Sequence, residues 1–137
     1  MRRKRQPPFP SELQEQIALF AWASLNHPRY PELALLYHIN NNSRSAFRGR
    51  LNKRAGLKRG FPDLCLPVAR PPFNSLYIEL KRPSAAWRVG AIRKEQAEWL
   101  AALILAGNAA LVAYGAEDAA RRITAYLDGT LFLEAQD

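Results

Sequence analysis

Three charged residues at the edges of two apolar segments have the types and spacing needed for metal-assisted hydrolysis. Asp63 follows Pro62 at the start of one segment, and Glu79-Leu80-Lys81 ends the second. Between Ser75 and Lys81 apolar residues alternate with others, which predicts a strand with Glu79 and Lys81 on one face. Two carboxylates can bind a divalent cation, and a neighbouring lysine can orient or activate a water. This combination is typical of nucleases.

Each of these residues also has a simpler structural explanation. Asp63 could cap a turn at the start of a strand, and Glu79 with Lys81 could form an exposed ion pair that contributes little stability. The segment 75–81 is flanked in sequence by other apolar segments, however, so we expect it to lie inside a sheet. Charges on an internal strand require a ligand, a partner or a water-filled cleft.

The formal charge of +8 lies in the N-terminal half of the chain. Residues 1–63 contain 12 Lys and Arg against 4 Asp and Glu, whereas residues 64–137 contain 8 of each. This asymmetry indicates a polyanionic partner, nucleic acid rather than a membrane, although a basic surface that only confers solubility remains open. The best candidates for phosphate contacts are the cations of one acid-free segment: Arg44, Arg48, Arg50, Lys53, Arg54, Lys58 and Arg59.

The periodicities predict one mixed α/β domain at 11–128, between a basic tail at 1–10 and a C-terminal tail at 129–137. Ser11 and Gln14 form a capping-box pattern before the first helix. We expect helices at 12–25, 91–106 and 116–127, and strands at 35–39, 64–66, 75–81 and 109–114. Segment 44–59 could be a short helix or a loop.

Several features narrow the setting and the chemistry. The chain has no apolar run of about 20 residues and no secretory signal, so we expect an intracellular protein that does not enter membranes. The single cysteine, Cys65, is predicted to be a buried strand residue. With only two histidines, His27 and His38, a zinc site is not expected. Trp87 lies in a polar stretch, where stacking on a base and partial burial are both open.

Four short motifs together resemble the VRR-NUC branch of the PD-(D/E)xK nuclease superfamily. They are Glu12 at the start of the first helix, Gly60-Phe61-Pro62-Asp63, Ile78-Glu79-Leu80-Lys81, and Gln96 on the next predicted helix. The resemblance covers about residues 11–115 and is strongest to small stand-alone bacterial and phage versions. It implies a restriction-endonuclease-like core, in which helices flank a mixed β-sheet.

The resemblance also implies roles for individual residues. Asp63, Glu79, the main-chain carbonyl of Leu80 and Glu12 would bind Mg²⁺ or Mn²⁺. Lys81 would position or help deprotonate the attacking water, and Gln96 would support the site. Glu15 is the alternative to Glu12 on the first helix.

The function implied is a metal-dependent DNA endonuclease that hydrolyses phosphodiester bonds in structured DNA, such as Holliday junctions or flaps. A homodimer would match two cut strands, and the setting would be the cytoplasm of a bacterium or a phage-infected host. The rival hypothesis is a catalytically inert nucleic-acid-binding module with the same fold.

Overall fold

The computed structural model describes residues 11–39, 46–87 and 91–132. The predicted tail at 1–10 and the last residues of the C-terminal tail, 133–137, lie outside these ranges. The elements in chain order are α1 (Glu12–Asn26), β1 (Tyr37–His38), α2 (Ala46–Arg54), β2 (Leu64–Leu66), β3 (Leu76–Lys81), α3 (Lys94–Leu105), β4 (Ala109–Tyr114) and α4 (Ala116–Leu127), with 3-10 helices at Pro31–Leu35 and Pro83–Trp87.

A four-stranded mixed sheet, in the order β1-β2-β3-β4, organises the domain. β2 runs antiparallel to β1 and β3, whereas β4 runs parallel to β3. A parallel neighbour requires a crossover connection, and α3 lies in that connection. The predicted α/β class and the internal position of the strand at 75–81 are therefore confirmed.

The hydrophobic core lies on one face of this sheet. Leu76, Ile78 and Leu80 of β3 are buried there against α1 and α4, which contribute Leu19 and Ile123 to the same cluster. Residues on the other face of β3 point toward α3, because side chains alternate along a strand. The charged residues Glu79 and Lys81 consequently lie in the layer between the sheet and α3. Within the described ranges, no helix has the length and apolarity needed to cross a membrane.

Helix α1 begins where its capping box predicted, because Gln14 N donates to Ser11 Oγ and Ser11 N donates to Gln14 Oε1. The helical spacing of Leu13 and Ile17 predicts that these residues lie on the buried face of α1. The observed rotation of α1 about its axis is different. Leu13 and Ile17, which lie on the predicted apolar face, are 65% and 61% exposed, whereas Leu19 is fully buried. Apolar residues cover most of the circumference of α1, so their spacing alone does not fix which side packs on the sheet.

The remaining differences from the predicted elements concern short segments. The strand expected at 35–39 is reduced to the two residues of β1, because Pro31 starts a 3-10 helix that continues to Leu35. Segment 44–59 was expected to be either a short helix or a loop, and part of it forms α2. Helix α3 begins only at Lys94, after the second 3-10 helix, whereas β4 and α4 have the predicted limits.

Gly60 allows the loop before β2 to approach the start of α3. Its φ is +80°, and a Cβ atom added there would lie 2.9 Å from Glu95 Cβ and 3.2 Å from Gln96 N. Both neighbours belong to the first turn of α3, which cannot move away as a flexible side chain could. Gly60 therefore combines a left-handed backbone with a close approach that fixes the position of Gln96.

Gly60→Ala should destabilise the protein more than Gly56→Ala. Both glycines have positive φ, and alanine costs about 1–2 kcal/mol in that conformation, but a Cβ atom at Gly56 would meet no atom within 4 Å. Thermal unfolding of the two variants measures the difference. Equal losses in Tm would contradict the close approach between Gly60 and α3.

Candidate active site

The pairing of β2 with β3 ends immediately before Asp63, and this ending creates the site. Ala109 N and Gly115 N donate to Ser75 O and Lys81 O, so odd-numbered residues of β3 bond to β4 and even-numbered residues face β2. The ladder between β2 and β3 runs as far as Leu64 opposite Ile78.

The next pair on this edge would place Pro62 opposite Leu80, but proline has no N–H to donate to the Leu80 carbonyl, so this pair cannot form both of its ladder bonds. The Leu80 N–H instead donates to Asp63 Oδ2 at 2.9 Å. The N–H and C=O groups of one strand residue point to the same edge, so the Leu80 carbonyl also faces the open end of the ladder. The order of proline and aspartate thus places a carboxylate and a carbonyl beside each other where the strands separate.

Glu79 lies at the centre of the site and is only 3% exposed. Its Oε1 atom accepts a hydrogen bond from Gln96 Nε2 at 2.9 Å and lies 3.6 Å from Lys81 Nζ. The Gln96 side chain is oriented from its other end, because Gln96 Oε1 accepts a hydrogen bond from Arg93 N at 2.9 Å. Gln96 therefore links the start of α3 to the buried carboxyl group of β3.

The pKa of Glu79 is raised from 4.5 to about 8. Burial of the carboxyl group is the main cause, and repulsion from the Asp63 carboxylate is the next. Attraction by Lys81 opposes the shift without cancelling it, while a hydrogen bond with Asp63 and the charge of Glu12 add to it. At neutral pH Glu79 thus retains a proton, and the site contains more carboxyl groups than one lysine can neutralise.

The two glutamates proposed for α1 have different surroundings. Glu15 is buried, and its Oε2 accepts a hydrogen bond from Ala116 N, the first residue of α4, at 2.7 Å. A carboxylate at this position satisfies an unpaired N–H and interacts favourably with the helix dipole. Glu12 is exposed, and its charge acts on Glu79. Of the two, Glu12 is the one whose charge acts on the Asp63–Glu79 pair.

The donors at this site suit a hard divalent cation. Within residues 11–39, 46–87 and 91–132, no three Asp, Glu, His or Cys side chains lie close enough to hold a metal ion. The available groups are the carboxylates of Asp63 and Glu79, with the Leu80 carbonyl beside them, all oxygen donors. Mg²⁺ is usually held by one or two carboxylates and keeps several waters. Burial is the main cause of the raised pKa of Glu79, and a bound cation would offset the repulsion from Asp63 that adds to it.

The predicted phosphate-binding residues form an exposed basic segment that leads directly into the site. Arg48, Arg50, Lys53 and Arg54 lie on α2, and Lys58 and Arg59 follow it. All six side chains are exposed, while Arg44 lies outside the described residues. The segment is attached to α3 because Trp99 Nε1 donates a hydrogen bond to Arg59 O at 2.9 Å.

Sequence reasoning did not identify three structural features of the site. It missed Glu15 as the cap of α4, the hydrogen bond from the Leu80 backbone N–H to the Asp63 side chain, and the effect of the absent N–H of Pro62 on the β2–β3 ladder. The last two depend on which residues face each other in the β2–β3 ladder, which a single sequence does not give. The sequence places Glu15 one turn into α1, but its spacing gives no signal that its carboxylate caps the start of α4.

The raised pKa of Glu79 predicts an unusual pH dependence for the stability of the metal-free protein. The folded state keeps a proton on Glu79 up to about pH 8, whereas the unfolded chain releases it near 4.5. The contribution of Glu79 to stability is therefore fully present below about pH 4.5 and is lost as the pH rises to about 8, by at most about 1.4 kcal/mol per pH unit. Chemical denaturation in EDTA at several pH values measures this slope.

The matched control is Glu79→Gln, which keeps a donor in place of the protonated carboxyl group but cannot titrate. The variant should lose this component of the slope and gain stability relative to the native protein as the pH approaches 8. Parallel pH profiles for the two proteins would contradict the raised pKa.

Glu15→Ala should destabilise the protein, whereas Glu12→Ala should leave its Tm nearly unchanged. Removing the Glu15 carboxylate leaves a partly buried N–H at the start of α4 without its acceptor, at a cost of about 1–3 kcal/mol. Glu12 is exposed. Thermal unfolding compares the two, and a larger loss for Glu12→Ala would contradict these assignments.

Comparison with known proteins supports the fold. No protein-family model and no curated protein matches the chain. A solved structure described as a VRR_NUC domain protein matches it with a TM-score of 0.72 at 24% sequence identity, and the match covers 87% of this chain and 89% of that chain. The match extends over nearly all of both chains, so it concerns the whole domain and not one motif. The chain therefore has the fold of a VRR-NUC domain, as its sequence motifs predicted.

Proposed function

We propose that this protein is a DNA endonuclease that requires Mg²⁺ or Mn²⁺ and hydrolyses phosphodiester bonds. The observation that carries the proposal is the convergence of Asp63, Gln96 and Lys81 on the buried carboxyl group of Glu79. A protein that only bound nucleic acid would gain nothing from acidic groups facing phosphate. The match to a VRR_NUC domain protein supports the nuclease class.

Asp63 and Glu79 would hold the cation, with the Leu80 carbonyl as a further ligand and Glu12 acting directly or through water. A divalent ion bound there would lower the pKa of a coordinated water and stabilise charge on the phosphate oxygens. Glu79 must release its proton to become a ligand. Gln96 remains bound to Oε1 and holds the carboxylate in one orientation, as partners of metal ligands commonly do.

Lys81 is assigned the positioning of the attacking water. Its ammonium group is buried on the same face as Glu79 and has three donors to offer to water or a phosphate oxygen. The water oxygen would form the new bond to phosphorus as the bond to the 3′ oxygen breaks. The water would lose a proton to solvent, and the departing 3′ oxygen would take up a proton from solvent to become a hydroxyl group. Charge that develops on the phosphate oxygens is stabilised by groups already in position.

The basic segment on and after α2 would bind the DNA backbone through Arg48, Arg50, Lys53, Arg54, Lys58 and Arg59, together with Arg44. We propose branched DNA, a Holliday junction or a flap, as the substrate. One chain supplies one site, so paired cuts in a junction would come from a homodimer.

Cleavage of a four-way junction, a flap and a linear duplex tests this proposal. Product formation should require Mg²⁺ or Mn²⁺ and be absent in EDTA. Asp63→Ala and Lys81→Ala should each reduce the cleavage rate by about 100-fold or more, because each removes a group that acts in the transition state. Glu12→Ala should reduce it while leaving the fold intact.

The matched control is Lys94→Ala, which removes a lysine that is largely exposed on α3. This variant should cleave at the native rate. Cleavage that survives both Asp63→Ala and Lys81→Ala would refute the site, whereas binding without metal-stimulated cleavage by the native protein would favour the inert binding module.

A further inference from the structure

Trp87 is an exposed aromatic residue that the proposed chemistry does not use. Its side chain is 92% exposed, whereas Trp22 and Trp99 are half-buried. Within the described residues, its ring has no aromatic, cation–π or hydrogen-bonding partner. An indole left in water keeps both of its faces free, so it is available to stack on a flat ligand.

The segment that carries Trp87 is attached to the candidate active site at both ends. It starts after Lys81, whose Nζ lies 3.6 Å from Glu79 Oε1. It leads into α3, where Gln96 Nε2 lies 2.9 Å from the same oxygen. Trp87 thus lies in the connection between two residues, Lys81 and Gln96, whose side chains contact the Glu79 carboxyl group.

Trp87 is also held on an ordered element. It ends the 3-10 helix Pro83–Trp87, in which Ala85 is buried and its N–H donates to Arg82 O. Pro83 packs against Gly115, where an added Cβ atom would lie only 2.7 Å from Pro83 Cγ. The exposed indole is therefore presented by an element that is packed against the core.

Two cations flank Trp87 in sequence. Arg82 and Arg93 lie on the same connection, and neither forms an ion pair with any described residue. Aromatic side chains combined with basic groups are the usual means of binding single-stranded nucleic acid, with bases stacked on the rings and phosphates near the cations. The cations favour a polyanionic partner, and the bases of a nucleic acid also offer flat faces on which an indole can stack.

We propose that Trp87 stacks on an unpaired nucleobase next to the phosphate that is cut. The proposal rests on the nuclease function and refines its substrate class, because bases inside a duplex are already stacked on both sides. The substrate would then be DNA with unpaired nucleotides at the cut, such as a single-stranded flap or a junction that opens locally.

Tryptophan fluorescence in EDTA tests stacking without cleavage. Single-stranded oligothymidylate should quench the native protein, and Trp87→Phe should lose most of that quenching, because its remaining indoles are Trp22 and Trp99. Trp87→Ala should bind oligothymidylate about 5- to 150-fold more weakly, while Trp87→Phe retains part of the affinity. The control Leu105→Ala, at another residue about 90% exposed, should bind like the native protein.

Equal quenching by single strand and blunt duplex, or native affinity in Trp87→Ala, would overturn the stacking role. Quenching specific for single strands in a protein that cleaves no DNA would refute the nuclease function and leave the stacking role standing. Cleavage of DNA by a protein whose Trp87 fluorescence is not quenched would leave the nuclease function standing and refute the stacking role.

Discussion

The hydrogen bond from the Leu80 backbone to the Asp63 carboxylate is the interaction on which the rest of the site depends. It takes the place of the ladder bond that the Leu80 N–H would otherwise donate to the Pro62 carbonyl, so β2 and β3 can separate without leaving this N–H unsatisfied. Asp63 is held beside Glu79 as a direct result. The fold therefore stabilises, at the end of an ordinary antiparallel ladder, two acidic groups that repel each other.

The surrounding structure limits how that repulsion can be relieved. Glu79 is buried on a central strand, and its contacts with Gln96 and Lys81 hold it next to Asp63. In the metal-free protein a proton on Glu79 removes this repulsion, which adds to burial, the main cause of the raised pKa of Glu79. A divalent cation offers a second solution. A bound divalent cation would offset the repulsion that lowers stability at high pH.

Sequence reasoning was most successful where a pattern had one structural solution. β4 and α4 have the limits that periodicity predicted, and β3 is the internal strand that its neighbours in sequence suggested. Asp63 and Glu79 could be proposed as a pair of metal ligands because Asp63 follows a proline at the start of one apolar segment. Glu79 stands two residues before Lys81 on a strand that was expected to be internal.

The features that were missed depend on tertiary contacts. The rotation of α1 is one, because the spacing of Leu13 and Ile17 is compatible with a buried face, whereas the side of α1 that carries Glu15 faces the start of α4. The choice between Glu12 and Glu15 is another. Both are acidic residues near the start of the same helix, and only the position of α4 distinguishes a capping role for Glu15 from a charge beside Glu79.

The central claim is that Asp63 and Glu79 form a cation site that is protonated in the absence of metal. Calorimetric titration with Mn²⁺ at pH 7, repeated in buffers of different ionisation enthalpy, measures both the binding and the protons released. We expect saturable binding with close to one proton released per cation, and no such binding by Asp63→Ala. Binding without proton release, or binding that Asp63→Ala leaves unchanged, would contradict the claim.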